Sequence, residues 1–109
     1  MVVYVDNTRN KFKHMIMSHM WADTDEELHA MATKIGLKRV WFQRPPHAKW
    51  KHYDLCQEKK RMAIRLGAVE TDKYGASEHI AQKEQNYDVL QKITKLRQRN
   101  LEQRLGKCK

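Results

Sequence analysis

Two cysteines, two prolines and four glycines are all that this chain of 109 residues contains of those types. With only Cys56 and Cys108, the second beside the end, a disulfide framework is not expected, and a reducing cytoplasm is the expected setting. No C-x-x-C completes a zinc site, and neither His14 with His19 nor His47 with His52 has the four-residue spacing that places two imidazoles on one helix face. No apolar run is long enough to span a membrane, so no membrane partner is expected, and no basic leader with an apolar segment opens the chain. The serine-hydrolase elbow, the Walker glycine loop and the dinucleotide fingerprint are all missing, as are internal repeats and low-complexity tracts.

What is present points to a folded, strongly basic domain. Hydrophobic residues make up 40% of the chain and include three tryptophans, while a mean hydropathy of -0.89 requires a heavily charged surface. The net charge is +9, and its distribution is uneven. From Gln91 onward, Lys92, Lys95, Arg97, Arg99, Arg104, Lys107 and Lys109 face Glu102 alone, so six of the nine net charges lie in this tail. Such a tail attracts polyanions through long-range attraction and counterion release, and the same charges also suit a solvated helix face.

Val2 to Val5 is a short β-branched run ending on Asp6, which predicts a strand buried on both faces with a carboxylate at its carboxyl end. In the long segment to Asp23, alternation around Met15 to Met20 suggests a short strand. Thr24 and Glu27 form a capping box for a helix carrying Leu28, Met31, Ala32 and Ile35, which Gly36 ends. Val40-Trp41-Phe42 reads as a second buried strand beside the first, with Trp41 in the core. Asp54 and Gln57 form another capping box for a helix that Gly67 closes, and Ala68-Val69-Glu70 is a third strand. Residues 77–105 contain no proline or glycine and many good helix formers, and read as one long helix. The fold expected is α/β: a small parallel or mixed sheet of three to four strands with flanking helices and a long C-terminal helix. Residues 1–75 form the α/β domain and 76–109 a basic helix that packs on it or mediates self-association.

Parallel strands gather their carboxyl ends, which brings Asp6 and Asn7 together with Gln43 and Arg44 and with Glu70, Thr71, Asp72 and Lys73. This mixture of acids, amides and cations suits a phosphate ester with or without Mg²⁺, held by Asp6 with Asp72 or Glu70. The loop from Gln43 to Tyr53 interleaves Arg44, Lys49 and Lys51 with Trp50 and Tyr53, and cations beside aromatic faces suit a nucleotide or a single strand. The ligand-binding set is therefore Asn7, Gln43, Arg44, Lys49, Trp50 and Tyr53, with His19 and His52 as proton carriers or phosphate ligands. Each residue also has a plain structural role open to it. Asp6 fits a turn, Trp50 a loop anchor, His29 a hydrogen-bonded boundary position, Asp54 a helix cap and Cys56 a core position. On this reading His52→Ala leaves folding nearly intact.

Val3-Tyr4-Val5-Asp6, His19-Met20, Ala22-Asp23, Glu26-Glu27-Leu28-His29, Ile35-Gly36-Leu37, Trp41-Phe42-Gln43, His52-Tyr53-Asp54 and Gly67-Ala68 together resemble a domain-of-unknown-function family of small bacterial and phage proteins, the one numbered 4031. The likeness covers residues 1 to about 70. It implies a small α/β domain, often from a phage and then acting in the host cytoplasm on nucleic-acid metabolism or defence signalling, and it brings no activity with it. Its polar positions Asp6, His19, Gln43, His52 and Asp54 coincide with the expected site. Three functions stay open. The first is a noncatalytic binding protein for nucleic acid or nucleotide. The second is a Mg²⁺-dependent nuclease or phosphohydrolase with Asp6, His19 and His52 as catalytic residues. The third is an interaction protein whose C-terminal helix forms a homo-oligomer or grips a host protein.

Overall fold

A computed structural model describes residues 2–107, with side chains described through residue 103. Arg104, Lys107 and Lys109 of the basic tail therefore lie outside the described side chains, as does Cys108. The chain divides into two compact units, Met1–Lys73 and Tyr74–Lys109.

The first unit is a five-stranded mixed sheet with two helices. Its strands are β1 (Val3–Asp6), β2 (Asn10–Phe12), β3 (Met15–Ala22), β4 (Tyr53–Cys56) and β5 (Val69–Thr71); its helices are α1 (Asp25–Lys34) and α2 (Gln57–Arg65). The β-branched start of the chain forms β1, and β5 pairs with it in parallel, Tyr4 opposite Val69 and Asp6 opposite Thr71. Every other pairing is antiparallel. β3 is central: Met20 pairs with Val5 on one side and Tyr53 on the other, and Met17 likewise with Asn10 and Cys56. β1 and β2 thus share one edge of β3, interrupted at residues 7–9, and β4 takes the opposite edge.

The second expected strand does not form. Arg39–Trp41 is a 3-10 turn, leaving Trp41 50% and Val40 82% exposed. Phe42 alone of that apolar triplet turns inward, against His29 and Tyr53. The strand that pairs with β3 is instead Tyr53–Cys56, which the capping-box pattern had suggested as a helix start. Asp54 lies in that strand and caps nothing, and the Gln57 side chain donates to the Ile16 carbonyl and the Ser18 hydroxyl, fastening α2 to β3. The Thr24 cap is present, its hydroxyl accepting from the Glu27 N–H at 3.2 Å. Glu27 does not return the bond to Thr24 but accepts from the Val2 N–H at 2.8 Å, tying β1 to α1.

Strand alternation separates the sheet into two faces. Val3 and Val5, Met20, and Tyr53 and Leu55 point toward α1 and α2, where they join Leu28, Met31, Ala32, Ile35, Ala63 and Ala68 in the core. Tyr4, Asp6, His19, Trp21 and Asp54 stand on the opposite face, where Tyr4 stacks on Trp21. Polar residues and aromatic rings are therefore concentrated on the face opposite α1 and α2.

The second unit is a helical hairpin rather than one long helix. α3 (Gly75–Glu84) stops at Gln85, which adopts the left-handed conformation (φ 56°), and Asn86 then caps α4 (Tyr87–Lys107) by accepting from the Val89 N–H. Ala81 and Ile93 are buried in this unit, Glu78 pairs with Arg97, and Asn100 donates to the Tyr74 hydroxyl. No described helix is long and apolar enough to cross a membrane.

Candidate functional site

The face of the sheet opposite α1 and α2 carries a row of polar residues across three strands. His19 on β3 and Asp54 on β4 are direct register partners. Continuing the β1 to β3 register one residue beyond Val5 and Met20 sets Asp6 opposite His19. Gln43 and His52 form a two-way backbone bridge just outside β4, with N–H to carbonyl distances of 2.9 and 3.0 Å, so the long loop between them is closed at its base. His52 and Asp54, two apart in an extended segment, then share a face.

Asp6 is 3% exposed, and its carboxylate is fully engaged. Oδ1 accepts from the His19 N–H at 3.0 Å, the Thr8 hydroxyl at 2.7 Å and the Thr8 N–H at 3.3 Å, while Oδ2 lies 2.7 Å from His19 Nδ1. Burial pushes this carboxyl up, but the bonds from the His19 ring and backbone and from Thr8 outweigh it, so the group sits below the ordinary carboxylate range. The His19 imidazole is shifted up, chiefly by its bond to Asp6; burial opposes the shift, and the charges of Asp6 and Asp54 add to it. Asp54 is lowered first by the facing His52 ring, against burial, and then by the Gln43 amide, which donates to Oδ2 at 2.6 Å.

These partners determine which nitrogen of each imidazole is free. An ionised carboxylate only accepts, so His19 donates through Nδ1 and its neutral form keeps a lone pair on Nε2. His52 Nδ1 lies 3.0 Å from the Trp50 carbonyl, which also only accepts, so His52 likewise keeps Nε2 free. Both free nitrogens face the same oxygen: Asp54 Oδ1 is 3.8 Å from His19 Nε2 and 3.5 Å from His52 Nε2. The three residues offer ligand atoms within 4.8 Å of one another. A tetrahedral ion with bonds near 2.1 Å separates its ligands by about 3.4 Å, so this set needs only small side-chain adjustments to close on one ion. Two imidazoles and a carboxylate, each imidazole oriented by an acceptor behind it, form the donor set of zinc and other divalent transition metals rather than of Mg²⁺.

The aromatic rings around this group are packed on one another. Trp50 lies flat on His52 (ring centroids 4.1 Å apart, 17° between planes) and meets His19 and Trp21 edge-on. Trp50 thus lends one face to the site rather than standing clear of it. Tyr53 is fully buried on the core face, with its hydroxyl 2.8 Å from His29 Nδ1, so it cannot reach a ligand on the opposite face.

Among the expected site residues, Asp6, His19 and His52 are therefore brought together, Gln43 touches Asp54, and Trp50 flanks His52. Arg44 and Lys49 lie exposed on the loop, and Asn7 is exposed in the break between β1 and β2. Asp72 follows β5 and is not in the group that converges on one point; Asp6 stands behind His19. Thr8 was not among the expected site residues, and Asp54 was expected there only through the family resemblance, its own pattern reading as a helix cap. A signal for Asp54 was present in His52-x-Asp54, which repeats every second residue as a strand does, but the capping-box pattern competed with it.

A profile of one family, described as "Protein of unknown function (DUF4031)", matches residues 3–84. The match runs past residue 70 to include α3 and stops before α4. No curated protein and no solved structure matches the chain.

Proposed function

We propose that this chain, which belongs to the DUF4031 family, is a metal-dependent hydrolase acting on a phosphate ester through one divalent transition-metal ion held by His19, His52 and Asp54. The observation that carries this reading is the convergence of three donor atoms in which both imidazoles have their other nitrogen committed to a buried or backbone acceptor. The remaining nitrogen of each imidazole turns toward one Asp54 oxygen, an arrangement that a cation or a proton between them stabilises.

His19, His52 and Asp54 would hold such an ion, which would supply Lewis acidity toward a phosphoryl oxygen and a bound water. Asp6 orients His19 and increases its basicity toward a metal, and the Trp50 carbonyl does the same for His52. Gln43 holds Asp54 by its second oxygen and so leaves Oδ1 for the ion. Hydrolysis forms a bond from water oxygen to phosphorus and breaks the ester P–O bond and one O–H bond of the water, whose proton ends on the departing oxygen. The Mg²⁺ reading with Asp6 and Asp72 as ligands is less favoured, because both Asp6 oxygens already serve His19 and Thr8.

The test is titration calorimetry of the full chain with Zn²⁺, Mn²⁺ and Mg²⁺, followed by turnover of bis(p-nitrophenyl) phosphate. One ion of Zn²⁺ or Mn²⁺ bound per chain, lost in His19→Ala and Asp54→Asn together with turnover, is the expected result. Binding unchanged in both variants, or turnover that survives them, would reject it.

A further inference from the structure

We infer that the loop which delivers Gln43 and His52 to the site is a docking surface for single-stranded nucleic acid, so that the phosphate ester of the proposed hydrolase is a phosphodiester of a single strand. This inference rests on that reading for its chemistry but on separate residues for its binding.

The carboxylates stop at Glu27 and resume at Asp54, and between them lie six lysines and arginines: Lys34, Lys38, Arg39, Arg44, Lys49 and Lys51. Lys51 pairs with Asp25 at 3.1 Å, and Lys38 lies 5.5 Å above the Trp41 ring. Arg39, Arg44 and Lys49 are exposed with no acidic partner within ion-pair distance among the described residues. Arg44 adjoins Gln43, whose amide holds Asp54, and Lys49 adjoins Trp50, which lies on His52. The Ala48 N–H donates to the Arg44 carbonyl at 3.0 Å, closing a turn that begins at Arg44 and ends just before Lys49. An anion bridging them meets no acidic side chain from the loop itself.

The same segment exposes an apolar patch that the sheet does not use, Trp41 being 50% and Val40 82% exposed. Trp41 is two residues from Gln43, so their Cα atoms lie at most about 7 Å apart. Exposed cations without acidic partners and an exposed indole in the same segment are what a single strand requires: the backbone is neutralised and an unpaired base stacks on the ring. A duplex keeps its base faces covered and gains nothing from Trp41. An acidic protein offers no row of flat apolar faces to complement the indole. Trp50, the other tryptophan of the loop, already has its face on His52.

The experiment measures binding of fluorescent single-stranded DNA, single-stranded RNA and duplex DNA to the full chain at two salt concentrations, with EDTA present so that no metal is required. The variants are Arg44→Gln/Lys49→Gln, Trp41→Ala and, as a control on the other unit, Lys92→Gln/Lys95→Gln/Arg99→Gln. All of these side chains are exposed, and melting temperatures confirm folding. The double variant is expected to weaken single-strand binding about tenfold and to reduce the salt slope by about 1.4. Trp41→Ala is expected to weaken single-strand binding about five- to hundredfold and leave duplex binding where it was. The proposal is overturned if no strand binds at low salt, if duplex binds as tightly as single strand, or if only the α4 variant loses binding. The DNA and RNA arms state which sugar is preferred. Single-strand binding by a chain that takes up no metal would reject the hydrolase and leave the docking surface standing; turnover of the small diester without any strand binding would do the reverse.

Discussion

Asp6 grips His19 twice, through the backbone N–H at 3.0 Å by one carboxylate oxygen and through ring Nδ1 at 2.7 Å by the other. The two bonds fix the strand position of the histidine and its tautomer together. Asp6→Asn keeps an oxygen for the backbone bond but presents an N–H to the ring, forcing Nδ1 to accept and moving the imidazole proton to Nε2, where it blocks a metal. Metal affinity in Asp6→Asn should fall by about ten- to hundredfold while the circular dichroism spectrum stays that of the parent. Calorimetry with Zn²⁺ checks this, and an unchanged affinity would remove Asp6 from its orienting role.

The same pair sets a pH window for stability of the metal-free chain. Asp6 is lowered, so its contribution is complete above its ordinary range and disappears as pH falls through the lowered value. His19 is raised, so its contribution is complete below the ordinary imidazole value and disappears as pH rises through the raised one. Urea unfolding in EDTA across about pH 3 to 9 should therefore peak between these limits. His19→Gln should flatten both limbs, and a parent-like profile in that variant would show that other groups set the window.

Core and surface positions separate clearly. Leu55→Ala, at a fully buried β4 position, should cost about 2 to 5 kcal/mol, whereas Trp41→Ala, in the exposed 3-10 turn, should stay within about 0.5 kcal/mol of the parent. His52→Ala is not the stability-neutral change that a loop residue would allow. The ring is buried, stacked on Trp50 and bonded to the Trp50 carbonyl, so its loss should cost about 1 to 3 kcal/mol and loosen the loop. Denaturant midpoints of the three variants, compared at equal slope, provide the check.

Gln85 ends α3 in the left-handed region. Gln85→Gly should be neutral or stabilise the hairpin by up to about 1 kcal/mol, and Gln85→Val should destabilise it by about 1 to 2 kcal/mol, because a β-branched side chain crowds its own backbone at positive φ. Thermal melts followed at 222 nm would show the ordering, and a Val variant as stable as Gly would mean that the two helices do not depend on this turn.

Much of the architecture was legible in local sequence. The β-branched run to Asp6, the Thr24 cap, the helical spacing from Leu28 to Ile35, the glycines at 36 and 67 and the short strand after Ala68 each act within a few residues, and the structure contains each of them. Two patterns misled because one sequence satisfied two local rules. Val40-Trp41-Phe42 has strand composition, but its backbone closes a 3-10 turn instead, the Trp41 N–H donating to the Lys38 carbonyl and the Phe42 N–H to the Arg39 carbonyl, and extended pairing begins only where Gln43 bridges His52. Asp54 with Gln57 has capping-box spacing, yet pairing of residues 53–56 with β3 buries Tyr53 and Leu55, which outweighs the gain from one cap.

Sequence by itself determined a small basic α/β domain, the identity of Asp6, His19 and His52 as residues with chemistry to offer, and a cationic loop between Gln43 and Tyr53. Tertiary structure alone decided that Asp6 stands behind His19, that Asp54 completes the group and that Tyr53 belongs to the core. The reason is register. Which side chains share a face of a sheet depends on how strands distant in sequence align, and a slip of one residue turns every side chain to the other face, so the site exists only once β1, β3 and β4 are paired.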